Sequence, residues 1–368
     1  MDARELVHKH RFSRWLHRLT HWMHEHKLVT AFLTLITLII AIGLVMWSLF
    51  YTAPVANKVE IPAGFTGIKA LPEKKITYSP LTGSEIADET ATKRQVTGIM
   101  IENSPDARPQ SGLKDAGIVY EAIAEGGITR FAALYQEARP GLIGPVRSLR
   151  PYYLEWQAPY QPAFAHVGGS KKALDTVRNG QYKDIDQFFN AGAYYRAGDR
   201  VAPHNVYTTF DRLDALNQSK GFTSSEFQGW PRKGRTFGPV TAGQISVDIS
   251  GPLYNSSYVY DQKNNVYVRS QNGAPHNDRE AGQITPRVVV VMKVNMSLGF
   301  EDGYREQIET NGSGQAWIFQ DGSVQEVTWQ KNGTTDPLKL TRDGKEVTLN
   351  RGQTWVTAVP SDGGVSWK

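Results

Sequence analysis

The feature that most constrains this chain is the run LVTAFLTLITLIIAIGLVMWSLFY, residues 28–51, which holds 24 residues without a charge. As a helix it would reach roughly 36 Å, enough to cross a hydrocarbon core of about 30 Å. Trp47 and Tyr51 sit where an interfacial aromatic belt would fall. The six Lys/Arg and three Asp/Glu of residues 1–27 make the N-terminal flank basic. The positive-inside rule therefore puts that segment in the cytoplasm and residues 52–368 outside, with 28–51 as a single membrane-spanning helix. A cleaved signal peptide is the rival, but YTAPVA makes a poor cleavage site.

Charge and cysteine content narrow the remainder. The net charge is +5, of which the first 27 residues supply +3, so the exported part is too weakly basic to indicate nucleic acid. Cysteine is absent, which excludes disulfides, thiol nucleophiles and an anchor on a lipid-modified N-terminal Cys. Six of the nine histidines fall within residues 8–26, with His17, His21 and His24 on one helical face. That pattern reads as an amphipathic helix on the membrane surface, and no metal or cofactor is assigned.

Residues 52–78, carrying Pro54, Pro62 and Pro72, read as a tether. From 79 to 232, strand-like runs at 96–101, 131–136 and 162–167 alternate with short helices, one of them N-capped by Ser170, and predict an α/β (or α+β) domain. From 233 to 368 the chain is β-rich. A hairpin is expected to turn at 261–265, a buried strand at 287–294, and hairpin turns at the Asp-Gly pairs beginning at 302, 321, 343 and 362. Only the stretch around 276–283 has a helical aspect.

The segment GPVRSLRPYYLEW (144–156) sets Arg147 and Arg150 just ahead of a helix that Pro151 is suited to open. Two guanidiniums beside free backbone N–H groups would hold an anion, with Ser148 as a further donor. AFAHVGGSKKAL (163–174) runs strand, Gly168-Gly169-Ser170, helix, and offers a second anion-binding helix start. Arg130 stands next to a strand, and Arg200, His204 and Asn205 share a turn. His166 and His204 are the candidate general bases, although either suits an ordinary structural histidine, as does His276. The alternative for Arg147 or Arg150 is to brace a loop against Glu121, Glu125 or Glu155. Glu102, Asp115, Glu121 and Glu125 are carboxylates available as a base or for a divalent cation. The P-loop, dinucleotide, Gly-x-Ser-x-Gly and His-Glu-x-x-His patterns are missing.

PLTG, ARPQSGLKDAGIVYEAIAEGGITRF, GPVRSLRPYYLEW, HVGGSKKAL, RVAPHNVYTT and the tail DGKEVTLNRGQTWVTAVP together resemble successive blocks of the YerB-like family. The resemblance spans about 79–362 and implies an extracytoplasmic bacterial protein whose N- and C-terminal domains have no assigned function. Many of its members use a lipid-modified Cys, where this chain offers an apolar helix. A looser likeness of arrangement links VRSLR and HVGGS to the LytR-CpsA-Psr glycopolymer transferases, whose arginines bind a polyprenyl pyrophosphate.

The expectation is therefore a membrane-anchored cell-envelope protein. Its outer domain would bind a phosphate or pyrophosphate group of an envelope glycan or lipid precursor between Arg130, Arg147, Arg150 and the start of the helix after Ser170. An enzyme of phosphoryl or glycosyl-phosphate transfer at the same pocket is the alternative, and a protein-interaction module working through the β-rich part is the third. No protein partner is identified by sequence.

Overall fold

Apolar residues at most positions of one long segment, and at alternate positions of many short ones, give the chain two different kinds of structure. A computed structural model describes residues 18, 20–50 and 76–368, in two separate units, Met1–Glu73 and Lys74–Lys368. In the first unit, α1 (Lys27–Phe50) is long and apolar enough to cross a membrane, and the side chains described in it are almost all exposed. Residues 20–25 ahead of it are helical and include His21 and His24, whereas His17 lies outside the described residues. So do residues 52–75 of the expected tether, and Thr77–Tyr78 already pair with Glu85–Ile86.

The second unit is built on a mixed sheet. In chain order its elements are β1 (Thr97–Glu102), β2 (Ile118–Glu125), β3 (Ile128–Tyr135), α2 (Pro151–Gln157), β4 (Ala163–Ala165), α3 (Lys171–Val177), β5 (Lys183–Asp184) and α4 (Phe210–Ser219). The β-rich part follows with β6 (Gln244–Asp248), β7 (Ser256–Asp261), β8 (Val266–Gln271), β9 (Ala274–Pro275), β10 (Val288–Val294), β11 (Met296–Phe300), β12 (Arg305–Ile308) and β13 (Gly312–Gln320). Its last elements are β14 (Ser323–Lys331), β15 (Lys339–Arg342), β16 (Lys345–Glu346), β17 (Thr354–Pro360) and β18 (Gly364–Trp367).

The main sheet runs β16-β15-β14-β13-β10-β17-β2-β3-β1-β4-β5. The strand β17 lies parallel to β10 on one side and to β2 on the other, so sequence from both halves of the chain shares one sheet. β1, β4 and β5 are mutually parallel, and their C-terminal ends emerge together. One face buries Tyr120, Ala132, Val290 and Val356 against the aromatics Tyr152, Tyr153 and Trp156 of α2. On the other face, α4 covers Ile99, Ala133 and Val119 with Phe210 and Leu213. There too Val289, Val291 and Phe319 meet Ile245, Val247 and Tyr258 of a second sheet, ordered β9-β8-β7-β6-β18.

The hairpin expected at 261–265 forms between β7 and β8, with Asn265 at φ +55 in the turn. Two expectations are corrected. Residues 276–283 are a short strand pair, Asn277–Asp278 with Gly282–Gln283, because Asp278 folds back on the backbone N–H groups of Glu280 and Ala281. Asp362-Gly363 closes no hairpin: it carries the chain from β17 in the main sheet to β18 in the other.

Candidate functional site

Where β1 and β4 end, the segment 143–150 wedges between the chains that continue them. The Glu102 N–H donates to the Pro145 carbonyl (2.9 Å) and the Arg147 N–H to that of Met100 (2.8 Å). On the opposite side, the Val167 N–H donates to Arg147 (3.0 Å) and the Leu149 N–H to Gly168 (2.9 Å). Its backbone is thus satisfied like that of a strand, and Arg150 follows as the N-cap of α2 with Pro151 at the first helical position, as the sequence predicts.

The side chain of Arg147 lies beside Glu102, Nε to Oε2 3.1 Å, and keeps 23% exposure. Glu102 itself is buried, and its Oε1 accepts from His204 Nδ1 (2.8 Å) and from the Ser104 hydroxyl (2.9 Å). A carboxylate only accepts, so Nδ1 carries the imidazole proton and Nε2 is left with its lone pair. Asp106 approaches Nε2 only to 4.0 Å, and the His204 ring is 21% exposed. Among the described residues the terminal nitrogens of Arg147 have no hydrogen-bond acceptor. Arg147 and His204 are therefore both paired with one buried carboxylate, and both keep partial exposure to solvent.

Arg130 and Arg150 are arranged otherwise. Both are buried, and both are neutralised by Glu125: Arg130 Nη2 donates to Oε1 (2.5 Å) and Arg150 Nη2 to Oε2. Arg130 also donates to the Ser148 carbonyl (2.9 Å) and Arg150 to that of Leu149 (3.0 Å). Burial raises the carboxyl pKa of Glu125, but the two guanidiniums outweigh it and hold it below its usual range. The anion expected between the arginines is thus the protein's own Glu125. The two arginines brace the β2–β3 turn to the start of α2, and Ser148, half-buried, takes part through its backbone.

The second expected anion site has the same outcome. Ser170 caps α3 through its hydroxyl, accepting from the Ala173 N–H at 3.5 Å. The next free N–H groups, of Lys171 and Lys172, donate to Glu301 at 2.9 and 2.7 Å. Glu301 lies in the turn between β11 and β12. Gly169 is required for packing, because a Cβ there would sit 3.0 Å from the Leu149 carbonyl oxygen.

His166 is fully buried with both ring nitrogens engaged, by the Gly168 carbonyl (2.8 Å) and by Asp184 (3.0 Å). It joins β4 to the chain after β5 and does not reach the surface beside His204. Arg200 donates to the carbonyls of Asp106 and Pro109, at 2.9 and 2.6 Å. Asn205 Nδ2 donates to the carbonyls of Ala197 and Arg200, at 3.3 and 3.2 Å, and its Oδ1 accepts from Arg196 at 2.7 Å. These two residues hold the turn that carries His204.

The structure therefore pairs both Arg147 and His204 with Glu102, commits Arg130 and Arg150 to Glu125 and the start of α3 to Glu301, and adds Glu102 and Ser104. Glu102 stands out in sequence only as one of several carboxylates, and Ser104 and Glu301 carry no local pattern that would select them.

Two family models match the chain: the N-terminal domain of a protein of unknown function, DUF3048, over residues 81–223, and its C-terminal domain over 245–356. A relative in Bacillus subtilis (strain 168), named "Putative lipoprotein YerB", is 33% identical over 292 residues, which cover 77% of this chain and 86% of that protein. The crystal structure of the YerB protein from Bacillus subtilis superposes with a TM-score of 0.70 at 29% identity, covering 79% of this chain and 99% of that one. With both domains matched in order over most of its length, the chain belongs to the DUF3048, or YerB-like, family.

Proposed function

We propose that this is a membrane-anchored cell-envelope protein whose outer body takes up an anionic group, a phosphate or pyrophosphate of an envelope glycan or lipid precursor, at Arg147 and His204. The reading rests on one observation: buried Glu102 pairs with both side chains, and both keep partial exposure to solvent. A guanidinium held through Nε offers its two outer nitrogens as a fork that fits a phosphate oxygen pair. Glu102 is also the last residue of β1, which runs parallel to β4, and α/β sheets commonly hold ligands at that end of their parallel strands. For the anchor, the support is the length and apolar character of α1, the basic segment before it, and the lipoprotein name of a relative. Orientation with residues 52–368 outside follows from that basic segment.

Titration calorimetry of the full chain in nanodiscs with inorganic pyrophosphate tests the site. Binding is expected in the intact chain and is lost in Arg147→Ala and His204→Ala, each folded by its own thermal melt. Heat that is absent from the intact chain, or unchanged in Arg147→Ala, overturns the reading.

A second reading is catalytic. With Nδ1–H held by Glu102, the neutral His204 ring has Nε2 set to take a proton from an acceptor hydroxyl attacking the pyrophosphate phosphorus bound at Arg147, the new O–P bond replacing the P–O bond to the departing polyprenyl phosphate. Ser104 lies on the Nδ1 side of the ring, so it is not the nucleophile of such a reaction. Release of a glycosyl-phosphate or phosphoryl group from a polyprenyl pyrophosphate donor, abolished in His204→Ala with pyrophosphate binding retained, distinguishes this from binding alone.

A further inference from the structure

The residues around His166 build something specific on the surface. Asp186 is fully buried, and its Oδ1 accepts from the backbone N–H groups of Gly168 (3.0 Å) and Phe188 (3.2 Å), while Oδ2 accepts from Arg178 (2.6 Å). Asp184 accepts from the Asp186 N–H (2.9 Å) and from His166. The Gln187 N–H donates to the His166 carbonyl, the Phe189 N–H to that of Asp186, and Asn190 Nδ2 to Asp186 again, at 2.9, 3.1 and 2.8 Å. All of this fixes one turn. At its tip stand Phe188 and Phe189, 68% and 70% exposed.

Burying a carboxylate and a histidine is costly and is repaid only by complete hydrogen bonding. Here the satisfied network flanks the core residues Ala165 and Ile185 on one side and fixes an exposed turn on the other. It displays two adjacent phenyl rings in water. Arg178 stacks over the Phe189 ring at 4.8 Å, and Gly168, at φ +58, leaves room where a Cβ would come within 3.0 Å of Phe188. A pre-ordered aromatic tip loses little entropy when it is buried elsewhere.

We propose that the Phe188–Phe189 turn inserts into the surface of the membrane to which the chain is anchored. This rests on reading 28–51 as a span. Residues 51–75 link α1 to the folded body, and 25 residues cannot reach beyond roughly 90 Å however they are arranged. A lipid surface is thus always within range. A protruding two-residue tip is too small for a stable protein interface, which needs about 800 Å² from each partner, whereas a deformable apolar phase accepts a convex tip. The turn follows β5, so it lies at the same sheet end as Glu102 with its partners Arg147 and His204. Insertion would bring those residues toward the headgroup layer, where the phosphate of a lipid-linked precursor lies.

The absence of cysteine allows a direct test. A nitroxide is placed at Ala191→Cys, beside the turn, or at Asp343→Cys, 93% exposed in the β15–β16 turn beyond the far edge of the sheet. The full chain is reconstituted in phosphatidylethanolamine–phosphatidylglycerol vesicles, and flotation reports the anchor separately. Expected is a label at 191 accessible to oxygen but shielded from an aqueous nickel chelate, with the label at 343 open to the chelate. Phe188→Ser/Phe189→Ser returns the 191 label to water without lowering the melting temperature, and Phe188→Leu/Phe189→Leu keeps it shielded. A chain that floats with the 191 label in water overturns the docking and leaves the anchor standing. Failure to float overturns both. Shielding from oxygen and chelate alike assigns the turn to a protein partner or a second copy and overturns the lipid.

Discussion

Glu121 on β2 and Arg269 on β8 meet at 2.6 Å with neither side chain exposed. The same Glu121 oxygen accepts from Trp355 on β17 (2.9 Å), and Arg269 also donates to the Tyr258 hydroxyl (3.1 Å) and to His276 Nδ1 (2.7 Å). One buried carboxylate thus ties together three strands drawn from both family segments. Glu121→Gln leaves the guanidinium buried without its counter-charge, which costs about 3–5 kcal/mol. Chemical denaturation should show that loss in a single transition for tryptophans of both segments, Trp156 and Trp317 among them.

Acid should weaken the same network through His276. Nδ1 accepts from Arg269, so Nε2 holds the proton and donates to the Gln110 carbonyl oxygen at 3.1 Å. Burial first, then the charges of Arg269 and Arg108, push its pKa well below the ordinary 6.5. The folded state therefore binds fewer protons than the unfolded one. This contribution to stability is complete above pH 6.5 and is lost below it by about 1.4 kcal/mol per pH unit. Denaturation midpoints between pH 8 and 5 should fall more steeply in the native chain than in His276→Gln. The carboxylates held low, Glu125 and Asp184, begin to lose their contributions only near their ordinary values of 4.5 and 3.8.

Arg147 and Arg150 should separate binding from stability. Arg147→Ala removes a partly exposed partner from a Glu102 that keeps Ser104 and His204, and should cost less than about 1 kcal/mol while ending pyrophosphate binding. Arg150→Ala withdraws one of two guanidiniums from Glu125 and should cost about 2 kcal/mol or more. Paired thermal melts and calorimetry check both.

Glu301→Ala exposes the first two amides of α3. Losing such a cap typically costs about 1 kcal/mol. Hydrogen exchange should accelerate at Lys171 and Lys172, while core strand β10 stays protected.

Much of the local structure was legible in sequence because it is decided locally. Pro151 at the helix start, Ser170 as N-cap, the 261–265 turn and the valine run of β10 all sit where residue chemistry places them. The site was legible only in part. Sequence offers Glu125 as one of three carboxylates that could brace Arg150, and the structure selects it; nothing near Lys171 points to Glu301, since those contacts span 25 and 130 positions. The resemblance of HVGGS to an anion loop was equally local. His166 and Gly168 instead answer to Asp184 and Asp186, which arrive only once β5 has docked beside β4.

The central position of β17 bears on how the molecule can be made. Translation runs from the N-terminus, yet Ile118 finds its partner Thr354 only 236 positions later (354 − 118). Until then β2 has an unfilled edge, and the nascent chain must be shielded or kept extended. A polypeptide whose sheet closes only when β17 arrives would suit passage across a bilayer in the unfolded state, as the proposed orientation requires. It also means that the two segments recognised as the N- and C-terminal domains of the family are halves of one folding event, and that a chain cut between them should yield two insoluble pieces in place of two modules.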